Sequence, residues 1–186
     1  MQRKSLLIRL LVEGMVSEAS IEDYNSFAET LYIRYSKDVL RMSYFYLGDL
    51  GRAEDVMQET FLRLIVNKPT LEEGKEKAWL LKVALNLCRD IWRSGWVKRV
   101  FIGTEKLEMY PDENNSIEDR LEKQALLQAV HSLSPDMKET FLLYYYQNYT
   151  IDEIATMLGS TSGTIASRLS RGRKQLKKLL GEGDDD

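Results

Sequence analysis

The chain has 186 residues, 44% of them apolar, and a formal charge of −3, which bounds it to one ordinary globular domain or two small ones and excludes a disordered or fibrous protein. A single cysteine, Cys88, and a single histidine, His131, exclude an internal disulfide and any metal-ligand spacing, so no metal or cofactor is expected and a reducing, cytoplasmic setting fits. No window offers the roughly 20 uninterrupted apolar residues of a membrane span, and Leu6 to Val12, broken by Arg9, is followed by no small-residue cleavage site, so neither membrane insertion nor secretion is expected.

The first 23 residues read as an N-terminal extension whose apolar Leu6 to Val12 suits an extra helix or a partner-binding segment. From there apolar residues recur at spacings of three and four, which predicts an all-α protein. Phe27, Leu31, Ile33, Tyr35, Val39, Leu40 and Met42 mark one or two helices ending near Gly48 to Gly51. The next helix is Arg52 to Asn67, with Ala53, Val56, Met57, Phe61, Leu64 and Ile65 on one face and Glu54, Asp55, Gln58, Glu59 and Arg63 on the other. After the polar loop Pro69 to Lys75, the residues Trp79, Leu80, Val83, Ala84, Leu87 and Ile91 outline another amphipathic helix. Residues 24–100 thus form a first domain, a bundle of about four helices. Gly103 to Ser116 lacks periodicity and is acidic, so 101–117 reads as a flexible acidic linker.

A second small helical domain spans 118–181, before an acidic tail at 182–186. Leu121, Ala125, Leu126, Ala129 and Val130 mark its first helix. Ser134 caps the next, with Pro135 at its first position and Phe141, Leu142 and Tyr145 as its buried face. Thr150-Ile151-Asp152-Glu153 has the form of a capping box. It opens a helix with Ile151, Ile154, Ala155 and Leu158 on its apolar face, which Gly159 stops. Thr161 caps the last helix, whose inward face is Ile165, Leu169, Gly172 and Leu176. Two helices joined by so tight a turn make a helix-turn-helix, in which the second helix enters the major groove and its early residues meet base edges. Ser162, Ala166, Ser167, Ser170 and Arg171 point outward there.

Charge is distributed unevenly. Arg168, Arg171, Arg173, Lys174, Lys177 and Lys178 crowd the last helix with no acid from Ser160 to Leu180, and Arg89, Arg93, Lys98 and Arg99 form a second basic patch. A local basic face governs phosphate binding more than the total charge does. The plainer alternative is a helical hairpin with a solvated basic face; capping box, glycine turn and acid-free basic helix together favour DNA binding.

Gly159 to Leu169, followed by Arg171 and Arg173, resembles the DNA-reading segment of bacterial sigma factors of the extracytoplasmic-function (ECF) group, in the sigma-70 family. Leu133-Ser134-Pro135 and Ile151 to Ala155 fit the same pattern. Ala53 to Arg63 is similar to that family's polymerase-binding helix, and Ala78 to Asp90 to its promoter-melting helix. The three segments stand in the family's order and span about Tyr24 to Leu179.

The resemblance implies an alternative sigma factor that binds core RNA polymerase and directs it to promoter DNA. On that analogy Asp55, Gln58 and Glu59 meet the clamp helices of the largest polymerase subunit, and the flap of the second-largest subunit is a further partner. Trp79 and Asn86, with the loop Asn67 to Lys77, correspond to the surface that accepts a base flipped from the −10 element; Arg89, Arg93, Lys98 and Arg99 hold phosphates. Trp79 shares an apolar stripe with Val83 and has a core role as its other reading. The −35 contacts fall on Ser162, Gly163, Thr164, Ala166, Ser167, Arg168, Ser170, Arg171 and Lys174. The linker corresponds to a segment that runs through the polymerase, a solvated tether being the alternative, and an anti-sigma protein is the expected control.

The chain departs from the family where Ala166 replaces a basic residue, Ser160 an apolar one, and Leu71 to Gly74 an arginine-glycine stretch, which leaves promoter preference and the flipped base unassigned. Rival readings are a conventional helix-turn-helix regulator that binds duplex DNA alone and a helical adaptor. An enzyme is disfavoured because no nucleophile–base pair, metal cluster or phosphate-cradling glycine loop is present.

Overall fold

The computed structural model describes residues 18–94 and 125–181. Most of the N-terminal extension, the linker 101–117, Lys98 and Arg99, and the tail 182–186 lie outside the described residues. Every regular element among the described residues is helical.

Where one or two helices are expected before Gly48, there is one, α1 (Glu18–Leu47). Gly48 breaks it in the left-handed conformation (φ 73°), and Asp49 at once caps α2 (Leu50–Asn67), its carboxylate accepting from the Arg52 N–H at 2.7 Å. α1 and α2 therefore form a tight antiparallel hairpin. Among the described residues of this unit α3 (Glu76–Arg93) is the third helix, where about four are expected. Leu31, Val39 and Met42 of α1, Val56, Phe61 and Leu64 of α2, and Leu80, Leu81, Ala84, Leu85 and Cys88 of α3 form the core. Three residues of the expected apolar stripes face outward: Phe27, Ile33 and Ile65 are 36%, 74% and 44% exposed. In α3 the centre of the buried stripe runs through Leu81, Leu85 and Cys88, leaving Trp79, Val83, Leu87 and Ile91 half-buried along its edge.

In the second unit the described residues begin with helical 125–131, in which Leu127, Ala129 and Val130 are buried while Ala125 and Leu126 face outward; Leu121 lies outside the described residues. α4 (Pro135–Phe141) has Ser134 at its cap position and Pro135 in its first turn, but the serine side chain makes no capping hydrogen bond. A π-helical turn, Leu142–Tyr146, follows directly. Its wider winding, closed by the Gln147 N–H on the Leu142 carbonyl at 3.0 Å, rotates the chain, so that Leu142 and Leu143 are buried while Tyr145, expected inside, is 44% exposed. α5 (Ile151–Leu158) and α6 (Ser162–Leu180) complete the unit.

The two units are not independent beads. One continuous cluster of buried apolar residues runs from α1 to Leu176 of α6, and Phe45 of α1 meets Tyr146 of the π turn edge-on at 4.9 Å between ring centres.

Candidate nucleic-acid interface

The helix-turn-helix is built by local chemistry. Thr150 Oγ1 accepts from the Glu153 N–H at 3.3 Å while the Glu153 carboxylate accepts from the Thr150 N–H at 2.8 Å, so two helix-end donors are satisfied reciprocally. The bonds that the carboxylate accepts from the Thr150 N–H and, at 2.7 Å, from the Thr150 hydroxyl hold the Glu153 carboxyl below its ordinary pKa. Gly159 ends α5 at φ 62°, where a side chain would be strained. Two residues later Thr161 caps α6, accepting from the Thr164 N–H at 3.2 Å. The Ser162 hydroxyl reaches back to donate to Asp152 of α5, which ties the start of α6 to the preceding helix. Thr150→Ala is expected to cost about 1 kcal/mol, read as a lower thermal midpoint with unchanged helix content at 20 °C.

Ile165, Leu169, Gly172 and Leu176 all point inward and are buried, as their spacing predicts. The opposite face presents Ser162, Gly163, Ala166, Ser167, Ser170, Arg171 and Lys174 to solvent, with Thr164 half-buried against its cap. Arg168 differs. Its guanidinium pairs with Asp136 of α4 at 2.7 Å and its side chain is only 20% exposed. Gln175 adds a second tie from α6, donating to the Ser132 carbonyl at 3.2 Å. α6 is thus braced at both ends of its inward face while its early outward residues are left open.

The second surface lies on α3. Asn86 is exposed, and its Oδ1 accepts from Arg89 Nη1 at 3.2 Å. Arg93 is exposed beside Asp90, at 3.9 Å. Trp79 is half-buried against the core, in keeping with its packing role. Arg89 is engaged: its Nε and Nη2 donate to the two Glu139 carboxylate oxygens at 2.9 and 2.6 Å. On α2, Asp55 and Gln58 are exposed and Glu59 is half-buried, bridged by Arg63 Nε at 2.8 Å.

These three surfaces can be set beside known proteins. Residues 31–97 match the family of sigma-70 region 2, and residues 123–176 the family of sigma-70 region 4. The ECF RNA polymerase sigma factor SigL of Mycobacterium tuberculosis is 32% identical over 158 residues, covering 82% of this chain and 88% of SigL. The chain belongs to the ECF sigma factors of the sigma-70 family. Family members direct promoter-specific transcription initiation, and the conventional-regulator reading is not favoured. A second ECF sigma factor, BldN of Streptomyces coelicolor, is 31% identical across 89% of this chain, which spans 64% of BldN's length. The fold is shared with RpoE of Bartonella quintana, solved in complex with the anti-sigma factor NepR, at a TM-score of 0.65 and 23% identity, covering 85% of this chain and 98% of RpoE.

As a sigma factor the chain holds a group of residues that sequence periodicity did not single out. Lys138 and Glu139 of α4 are wholly buried between the two units. The Lys138 ammonium donates to the Tyr46 carbonyl at 3.2 Å and lies 4.5 Å from the Trp92 ring centre. Burial pushes its pKa down to about 8. The Tyr46 hydroxyl donates to Glu139 at 3.3 Å, and burial, then the Glu139 charge, raises its pKa. In a seven-residue helix with charged residues at Asp136, Lys138 and Glu139, a solvated face is the ordinary expectation, so only the partners on α1 and α3 reveal the burial.

No helix among the described residues is long and apolar enough to cross a membrane. The same residues contain no group of three or more His, Cys, Asp or Glu side chains placed to hold a metal ion.

Proposed function

We propose that this sigma factor works in the cytoplasm and joins core RNA polymerase through α2, with Asp55, Gln58 and Glu59 against the clamp helices of the largest subunit and the flap of the second-largest subunit as a further contact. In this reading 24–100 is the core-binding and −10-melting domain, 101–117 the linker and 118–181 the −35-reading domain. The early outward face of α6 reads −35 as duplex, with Arg171 and the serines on base edges and Lys174 on phosphate. Asn86, Arg89 and Arg93 bind the melted non-template strand of the −10 element, and Trp79 supports that surface from beneath. Arg168 acts as a brace between α6 and α4, because Asp136 already takes its guanidinium.

The single observation that carries the reading is the pairing, on one chain and in family order, of an exposed polar face on α2 and α3 with an exposed, acid-free reading helix. RpoE's complex with NepR supports an anti-sigma protein as the controlling partner here too. The protein does no covalent chemistry in this account; it binds, positions and opens.

Purified chain plus core polymerase is expected to start transcripts at a specific promoter, and chain alone to bind the same duplex weakly. Arg171→Ala should cut upstream recognition about ten-fold or more, the worth of one good base contact. Asn86→Ala should leave duplex affinity intact and lower strand opening, followed by permanganate reactivity of −10 thymines. Failure to co-purify with core polymerase would sink the reading. Tight, specific duplex binding by the chain alone would favour a conventional regulator.

A further inference from the structure

The contact between the two units combines the shared apolar cluster and the Phe45–Tyr146 pair with a set of buried charges. Glu139 is gripped bidentately by Arg89 and receives the Tyr46 hydroxyl, while the neighbouring Lys138 donates its ammonium to the Tyr46 carbonyl; both side chains are buried. A buried ion pair gains in attraction about what it loses in desolvation, so it adds little net stability over separated, hydrated ions, while it fixes geometry sharply. The charged part of the contact thus sets the arrangement of the two bodies without itself making it permanent. Carboxylate and phosphate are also interchangeable partners for a guanidinium, since both offer two oxygens to its fork. The Arg89 guanidinium that holds Glu139 bonds Asn86 with its remaining nitrogen, so the occupied residues are the pair read above as −10 contacts.

We propose that Lys138 and Glu139 form a latch between the two DNA-reading halves, with the Glu139 carboxylate occupying Arg89 in place of a nucleic-acid phosphate until single-stranded DNA displaces it. The latch rests on the reading of Arg89 and Asn86 as strand-binding residues. It makes the free chain a closed form in which the melted-strand surface is self-occupied and the two reading surfaces are held in a single relative position. Opening releases Arg89 and frees the second half to move to its own DNA element. Asp136, three residues before Glu139 on the same short helix, meanwhile keeps Arg168 and hence α6 attached to α4, so the second half moves as one piece.

The test uses the full chain with dyes on cysteines placed at two exposed positions, Glu29→Cys on α1 and Thr156→Cys on α5. Native Cys88 is buried and its thiol is pushed up to about 12, so it stays unlabelled. Glu139→Gln is expected to lower energy transfer between the dyes. It should also tighten binding of a short mixed-sequence DNA strand, by about ten-fold if nine-tenths of the free chain is closed. The charge swap, Arg89→Glu with Glu139→Arg, should restore the closed transfer value that Glu139→Arg alone loses. Unchanged transfer and unchanged strand affinity in folded Glu139→Gln would overturn the latch.

If Glu139→Gln opens the chain without tightening strand binding, the occlusion of Arg89 is wrong. Arg89→Ala in the assembled holoenzyme tests the underlying reading separately, because promoter opening there reads strand binding and not the arrangement of the free chain. Promoter opening equal to wild type would refute the strand-binding role. Should Glu139→Gln not fold, titrating the labelled wild-type chain with the same strand decides the matter: transfer must fall on saturation, and a constant value overturns the proposal.

Discussion

The protein is expected to lose stability steeply as the pH falls below about 6.5, with His131 as the cause. The imidazole is buried, and burial, then the nearby Lys138 ammonium, lowers its pKa from 6.5 to about 3. In the unfolded chain the ring takes a proton as the pH passes through 6.5, while in the folded chain it stays neutral until about 3. The unfolded state therefore binds more protons throughout that window, and unfolding free energy drops as acid is added, by about 1.4 kcal/mol per pH unit. Between pH 6.5 and 4.5 the loss is about 2–3 kcal/mol, a large share of the stability of a small domain. Lys138 stays protonated in both states over this range and contributes no slope. Urea midpoints measured from pH 7 to 4.5 should fall in the wild type and change far less in His131→Leu. An equal acid slope in the two proteins would assign the effect to other groups.

His131 also marks where sequence reasoning reached its limit. An isolated histidine on a helix is ordinarily a surface or packing residue, and this one is packed, 5% exposed. Neither its depth nor the ammonium beside it is a property of its own helix. The helix-turn-helix was legible because its determinants are local: Thr150 and Glu153 bond each other across three residues, Gly159 sets one backbone angle, and Ile165, Leu169, Gly172 and Leu176 keep the helical period. The contact between the units was illegible for the converse reason. Tyr46, Arg89 and Glu139 lie up to 93 residues apart, and no spacing rule joins them.

Smaller misreadings have the same physical origin. Tyr145 would point inward if α4 kept 3.6 residues per turn; the π turn at Leu142–Tyr146 changes the winding and turns it out. Ile33 and Ile65 fit a helical stripe by spacing, yet each falls at a margin that α1 and α2 leave uncovered. The outward serines and Arg171 were placed correctly by periodicity, whereas Arg168, also basic, was taken up by Asp136 on a helix 32 residues upstream. Charge type alone could not separate an exposed arginine from a paired one.

Ile165→Ala tests whether the reading helix depends on that shared core. Ile165 is the first inward residue of α6 and is completely buried, so truncation removes its apolar contacts and leaves a void, at a cost of about 2–5 kcal/mol. The loss falls at the end of α6 that carries Ser162, Ala166 and Ser167, where the tie to Asp152 and the Thr161 cap also sit. Specific −35 binding by the holoenzyme is expected to fall more than ten-fold. Its exposed neighbour offers the matched control, since Ala166→Ser changes no packing and should shift stability by less than about 0.5 kcal/mol. Binding to core polymerase, which we propose runs through α2, should survive Ile165→Ala at 20 °C, because the core of α1 to α3 has its own buried residues in Val39, Leu64, Leu81 and Leu85. Calorimetry then reads the coupling directly. Two separated transitions, with only the lower one moved by Ile165→Ala, mean that the charged contact joins two self-supporting units. A single transition that moves as a whole, with polymerase binding lost alongside −35 recognition, means that the continuous apolar cluster makes them one cooperative body.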